Sequence, residues 1–320
     1  MLRAPARRLF VRAGLALAAV ALMTACVEAA LWAAGAPLGW RLMSDDGWAV
    51  DDFEARYRLK PGKRHEFDMD YQANALGLRG PLPDRPVVLS LGDSCTFGVN
   101  VEEKEAYPFL LAPGRGRVVD AAVPGWSTFN ALRWFETERA ADWKPKLVTL
   151  YFGWNDAEKA FLTESAFYDA RRLSARSRAA AAIVRLQQSV WRRDGLWAWS
   201  GLIARVPVGD FEKNIEAMAD GARSLGAVPV LITPAYPPAW RGPRRADIER
   251  YAAAVRDVAR RRGYALVDLA AEVAGMPKAQ AADLFVDPPA HLSARGHRLL
   301  ALRLKPWLEK NGDRRVSGRP

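Results

Sequence analysis

Few residues in this chain could carry chemistry, and their scarcity narrows the choice. There are three histidines, His65, His291 and His297, and two cysteines, Cys26 and Cys95. With neither an HExxH nor a CxxC pairing, no dedicated metal site is expected, and nothing points to a cofactor. Ser94 stands in Gly92-Asp93-Ser94-Cys95-Thr96-Phe97-Gly98. A serine hydroxyl is a poor nucleophile until a base takes its proton, and that base is a histidine oriented by an acid. His291 follows Asp287 by four residues in Asp287-Pro288-Pro289-Ala290-His291-Leu292-Ser293, a proline-rich loop suited to holding a side chain. His65 lies among charges and reads as solvated; His297 precedes an amphipathic run and reads as a helix-surface or packing residue. Taken alone, Ser94 could equally be a helix N-cap. Cys95 reads as a small packing residue, since nothing signals an activated thiolate.

These residues need elements to hold them. Val87–Leu91, Val118–Ala122, Leu147–Phe152, Val228–Thr233 and Ala265–Leu269 are short apolar runs of strand type. Helical patterns alternate with them over Thr128–Ala141, Phe211–Leu225, Arg244–Arg262 and Ser293–Leu308. Such alternation predicts an α/β fold with a parallel sheet covered on both faces. Ligands then bind at the carboxyl ends of the strands. The blocks that follow the first three runs are the Ser94 block, Pro124-Gly125-Trp126-Ser127 and Gly153-Trp154-Asn155-Asp156.

In that order, with the Asp287–His291 block last and Asn74-Ala75-Leu76-Gly77-Leu78-Arg79 ahead of the first strand, these blocks resemble the SGNH (GDSL-type) hydrolase superfamily over about residues 74–308. Any one block is weak; four in order at strand ends are specific. The resemblance is to bacterial members with an N-terminal anchor whose helix ends in a glutamate, as Val27-Glu28-Ala29 does here. It implies a three-layer α/β/α sandwich of flavodoxin-like type with a five-stranded parallel sheet. It also implies Ser94 as nucleophile, His291 as general base and Asp287 as its orienting acid. The Ser94 and Gly125 N–H groups and the Asn155 side-chain amide become the oxyanion hole. The chain departs from the family pattern in having three residues rather than two between acid and histidine, which leaves Asp283 as the alternative acid. Asp93 and Asp156 are expected to brace loops. The order of the blocks, without GxSxG, excludes the α/β-hydrolase elbow.

Apolar residues make up 50% of the 320 residues and charged residues 26%, enough for a core and too little charge for disorder. The net charge of +11 is carried mostly by arginine, read as solvated faces with attraction to an anionic surface as the alternative, and no glycine–aromatic signature of a nucleic-acid reader accompanies it. Arg3, Arg7, Arg8 and Arg12 precede an apolar stretch, residues 13–34, whose sole charge is Glu28. As a helix it would span roughly 33 Å, enough to cross a bilayer core. Basic residues before it and Asp45, Asp46, Asp51 and Asp52 after it place the N-terminus in the cytoplasm and the rest outside. Glu28 is expected to reach the interface. A lipoprotein anchored at Cys26, in Met23-Thr24-Ala25-Cys26, and a cleaved signal peptide remain as alternatives.

The expected organisation is a basic tail and anchor at 1–35, a membrane-proximal segment at 36–84, a hydrolase domain at 85–312 and a tail at 313–320. Residues 157–208 are expected to form a helical cap whose Trp191, Trp197 and Trp199 line the substrate, with packing onto the domain or contact with lipid as the alternative for these tryptophans. The expected function is hydrolysis of acyl esters through a seryl-acyl intermediate, on extracytoplasmic glycan or lipid esters. The alternatives are acyl transfer by the same triad, or an inactive glycan-binding or assembly protein on the same scaffold. Oligomeric state is left open.

Overall fold

The computed structural model describes residues 4–39, 47–83, 86–112, 117–137, 143–160, 162–193, 202–286 and 290–312. Arg3, Asp45, Asp46, Trp197, Trp199 and Asp287, all singled out above, lie outside the described residues. The chain divides into two compact units, residues 1–41 with 166–199, and residues 42–165 with 200–320.

The larger unit opens with two antiparallel hairpins. β1 (Ala49–Asp52) pairs with β2 (Arg56–Leu59), and β3 (Gly62–Glu66) pairs with β4 (Met69–Ala73). The central strands follow as β5 (Val88–Gly92), β6 (Val118–Ala122) and β7 (Leu147–Tyr151). After a two-residue pair, β8 (Lys159–Ala160) with β9 (Ile203–Ala204), come β10 (Val228–Ile232) and β11 (Ala265–Val267). The five central strands are all parallel, in the order β11-β10-β7-β5-β6. That is the flavodoxin-like order, with its switch point between β5 and β7. β5, β6 and β7 are buried along their whole length, as strands covered on both faces must be. Helices at Thr128–Thr137, Val208–Ser224, Arg245–Arg262 and Ala294–Gly312 lie close to the expected ranges. The helix Val208–Ser224 buries Phe211, Ile215, Met218 and Ala222, the apolar stripe legible in its sequence.

The smaller unit holds the helix Ala4–Ala33, of which Val11–Ala33 is long and apolar enough to cross a membrane. Leu15, Leu17, Val20, Leu22, Met23 and Trp32 are all exposed along it, unlike a soluble core helix. Glu28 does not simply reach outward. Its carboxylate accepts from Arg178 N (2.7 Å), Ala179 N (3.0 Å) and Ser177 Oγ (3.1 Å), so it caps the helix Arg178–Arg193. Arg178 Nε in turn donates to Ala36 O at 3.0 Å.

The units differ from the boundaries drawn on the sequence. The hairpins of the 36–84 segment belong with the sheet, because Tyr57 and Arg79 hydrogen-bond into its loops. Residues 166–199 of the 157–208 segment group with the N-terminal helix, because Glu28 satisfies backbone donors there. Periodicity showed helices in that segment without showing what they would pack on.

Candidate active site

Ser94, Gly125 and Asn155 each follow the carboxyl end of a neighbouring strand, β5, β6 and β7. Each is the partly open position in a buried run: Ser94 between Asp93 and Cys95, Gly125 between Pro124 and Trp126, Asn155 between Trp154 and Asp156. The fold thus presents one residue from each strand end. Ser94 starts a four-residue helix, Ser94–Phe97, capped by Asp93, whose Oδ1 accepts from Cys95 N at 2.8 Å. The N-cap role considered for Ser94 therefore belongs to Asp93. Gly92 permits this turn, since a Cβ there would overlap the Thr96 side chain. Buried Arg79 fastens the far end, donating to the carbonyls of Phe97, Gly98 (2.9 Å) and Val101 (2.7 Å). This accounts physically for the block that precedes the first strand.

His291 Nε2 lies 2.9 Å from Ser94 Oγ, across 197 residues of sequence. With the ring proton on Nδ1, the serine hydroxyl donates to Nε2, the arrangement needed for proton removal. The His291 loop is tied to the helix that Ser94 starts, because the Cys95 thiol, buried as expected, donates to Ala290 O at 3.5 Å. Asp283, the alternative acid, is exposed and engages Arg295 at 3.0 Å. The other two histidines go elsewhere. His65 pairs with Asp70 at 2.7 Å on the exposed β3–β4 hairpin. His297 is fully buried, and its Nδ1 accepts from Tyr107 N at 3.2 Å. Burial drives its pKa down to about 3, so it stays neutral.

Asn155 Nδ2 donates to Asp93 Oδ2 (3.2 Å) and Trp126 O (3.0 Å). Both amide hydrogens are thus engaged within the protein. Asp93 and Asp156 brace loops, as expected. Asp156 Oδ1 accepts from Thr128 N (2.8 Å) and Thr128 Oγ1 (2.6 Å) at the start of the helix Thr128–Thr137. Burial pushes Asp93 up to about 6 and Asp156 up to about 7.

The Gly125 loop is held by residues that the sequence did not reveal. Gly125 has φ of 85°, a left-handed value that favours glycine. Tyr57 Oη donates to Pro124 O (2.9 Å), Arg205 Nη2 donates to Gly125 O (3.0 Å), and Trp126 Nε1 returns a bond to Tyr57 O (2.8 Å). Arg205 is fixed by Glu158 (2.8 Å) and by Glu164, which also binds Arg56 at 2.8 Å. Burial opposes the charge on Glu164, yet Arg56 and Arg205 hold its carboxyl below the ordinary value. Tyr57 carried no signal beyond β-strand alternation, and Arg205 was one arginine among many.

The profile of the GDSL-like lipase/acylhydrolase family matches residues 90–299. The chain belongs to that family, and it is a carboxylic ester hydrolase. Among solved structures, it is similar to the lipase/acylhydrolase from Enterococcus faecalis, with 20% identity and TM-score 0.47, covering 71% of this chain and 96% of that one. It is also similar to the acetylxylan esterase Axe2 from Geobacillus stearothermophilus, with 18% identity and TM-score 0.46, covering 71% and 95%. The esterase EstA from Pseudoalteromonas is similar at 17% identity and TM-score 0.43, covering 70% and 96%. No curated protein sequence matches the chain significantly.

Proposed function

We propose that the chain hydrolyses acyl esters through a seryl-acyl intermediate on Ser94. The supporting observation is the 2.9 Å approach of His291 Nε2 to Ser94 Oγ at the switch point of the sheet. Ser94 Oγ attacks the ester carbonyl carbon as its proton passes to His291. The carbonyl π electrons move onto oxygen, which the N–H groups of Ser94 and Gly125 and the amide of Asn155 stabilise. Collapse expels the alcohol, which takes the proton from His291, and water repeats the cycle on the acyl-serine. Asp287 orients His291 in this reading. The N-terminal helix acts as an uncleaved anchor, supported by Arg7, Arg8 and Arg12 before it and by the engagement of Glu28 with residues 177–179. The catalytic unit then lies outside the cytoplasm, where O-acyl groups of glycans or lipid esters are the substrates.

Labelling with a fluorophosphonate and peptide mapping tests the reading. The adduct is expected on Ser94 and absent from Ser94→Ala, whose turnover falls at least about 10³-fold. An adduct elsewhere, or activity retained in Ser94→Ala, refutes it. Release of product only on addition of a sugar acceptor would replace hydrolysis by transfer.

A further inference from the structure

The peptide group between Pro124 and Gly125 is held at one end and open at the other. Its planar trans geometry points C=O and N–H in opposite directions, so whatever fixes the carbonyl also aims the N–H. The carbonyl is fixed by Tyr57 Oη at 2.9 Å. Tyr57 is itself buried and pinned. Its backbone carbonyl accepts from Trp126 Nε1 at 2.8 Å, its ring packs edge-on against Trp48 with centroids 5.7 Å apart, and β2 holds its backbone opposite Asp51. The neighbouring Gly125 carbonyl is held by Arg205. Two successive carbonyls of one loop thus point at the side chains of Tyr57 on β2 and Arg205 just after β9, leaving the Gly125 N–H to face away from them.

We propose that Tyr57 is a positioning residue for ester hydrolysis: its hydroxyl aims and polarises the Gly125 N–H as an oxyanion donor. This rests on the site proposed above. A hydrogen bond accepted by the carbonyl draws electron density toward its oxygen and makes the N–H of the same peptide a stronger donor, the cooperative effect of linked hydrogen bonds. The effect is felt where negative charge develops, in the transition state more than in the bound ester. Tyr57 lies outside residues 90–299, the span matched by the family profile. Burial pushes the phenol up to about 12, so it remains a donor through the neutral and mildly alkaline range.

The test uses the full chain in detergent micelles, a p-nitrophenyl ester and a trifluoromethyl ketone that adds to the serine to form a charged tetrahedral adduct. Tyr57→Phe is expected to lower kcat about 10-fold with KM changed less than about twofold, the size of one weakened donor. The ketone's inhibition constant should rise by the same factor. Unchanged kcat, or a fall in kcat with the ketone bound as before, overturns the proposal, the second outcome marking a packing role. Fluorotyrosines at position 57 keep the ring while strengthening the donor, and carry the test if Tyr57→Phe does not fold. Here kcat should rise from tyrosine through 3-fluoro- to 3,5-difluorotyrosine, and a flat or falling series refutes the idea. Failure of the underlying site is seen separately, as absence of a ketone or fluorophosphonate adduct on Ser94 of the unaltered protein.

Discussion

Gly125→Ala probes the proposed oxyanion loop through two separable strains. The first is backbone: a φ of 85° costs an alanine about 1–2 kcal/mol. The second is contact: a Cβ at this position would overlap the Tyr57 hydroxyl, whereas Tyr57 Cζ would lie 3.7 Å away, an ordinary distance. Relief requires the peptide to rotate or the tyrosine to withdraw, and either move misaims the Gly125 N–H. Loss of one oxyanion donor is worth about 10²–10³ in kcat, so Gly125→Ala is expected to lose that much with little change in KM. Tyr57→Phe removes the overlapping atom. Independent effects would take the double variant about tenfold below Gly125→Ala. The geometry instead requires the double variant to be no worse than Gly125→Ala, a coupling of at least about 1.4 kcal/mol. Steady-state kinetics of the four proteins, with thermal unfolding to confirm folding, measure it. Additive losses, or a Gly125→Ala variant within twofold of the parent, would refute the reasoning.

Other perturbations have equally definite outcomes. His291→Ala should lose about as much turnover as Ser94→Ala, while Asp283→Asn, at an exposed position engaged by Arg295, should stay within about threefold of the parent in the same ester assay. His297 is held neutral near 3 against 6.5 for an ordinary histidine, so the unfolded chain takes up a proton below about 6.5 that the folded chain refuses. Stability is therefore present above pH 6.5 and lost as pH falls toward 3; denaturant unfolding of His297→Gln should show a smaller loss between pH 7.5 and 5 than the parent. Glu164→Ala leaves Arg56 and Arg205 without their shared buried carboxylate and should destabilise the chain by about 3 kcal/mol, read from the denaturant midpoint. Glu28→Ala removes the cap of the helix Arg178–Arg193, worth about 1 kcal/mol, and should speed limited proteolysis between residues 175 and 195 without changing ester turnover.

What the sequence determined by itself was local or periodic. β5, β6 and β7 are mostly apolar runs, each with one buried polar residue (Ser90, Asp120, Thr149), because both their faces are covered, so a window of five residues showed them. The blocks after them were legible because the parallel topology places every strand's carboxyl end on one side, making short, widely separated segments neighbours by rule. Ser94, Gly125, Asn155 and His291 could therefore be named from type, order and family resemblance. The distance between Ser94 and His291 could not, since it depends on how two loops 197 residues apart are tied, in part by the Cys95 thiol on Ala290. Tyr57, Arg205 and Glu28 were beyond the sequence for the same reason. Each acts through hydrogen bonds to backbone groups remote in the chain, and a tyrosine in a hairpin, an arginine among many or a glutamate in an apolar helix carries no periodicity that names its partner. Only tertiary packing turned the segment before the sheet into a support for the Gly125 loop, and the one charge of the apolar stretch 13–34 into the cap of another helix.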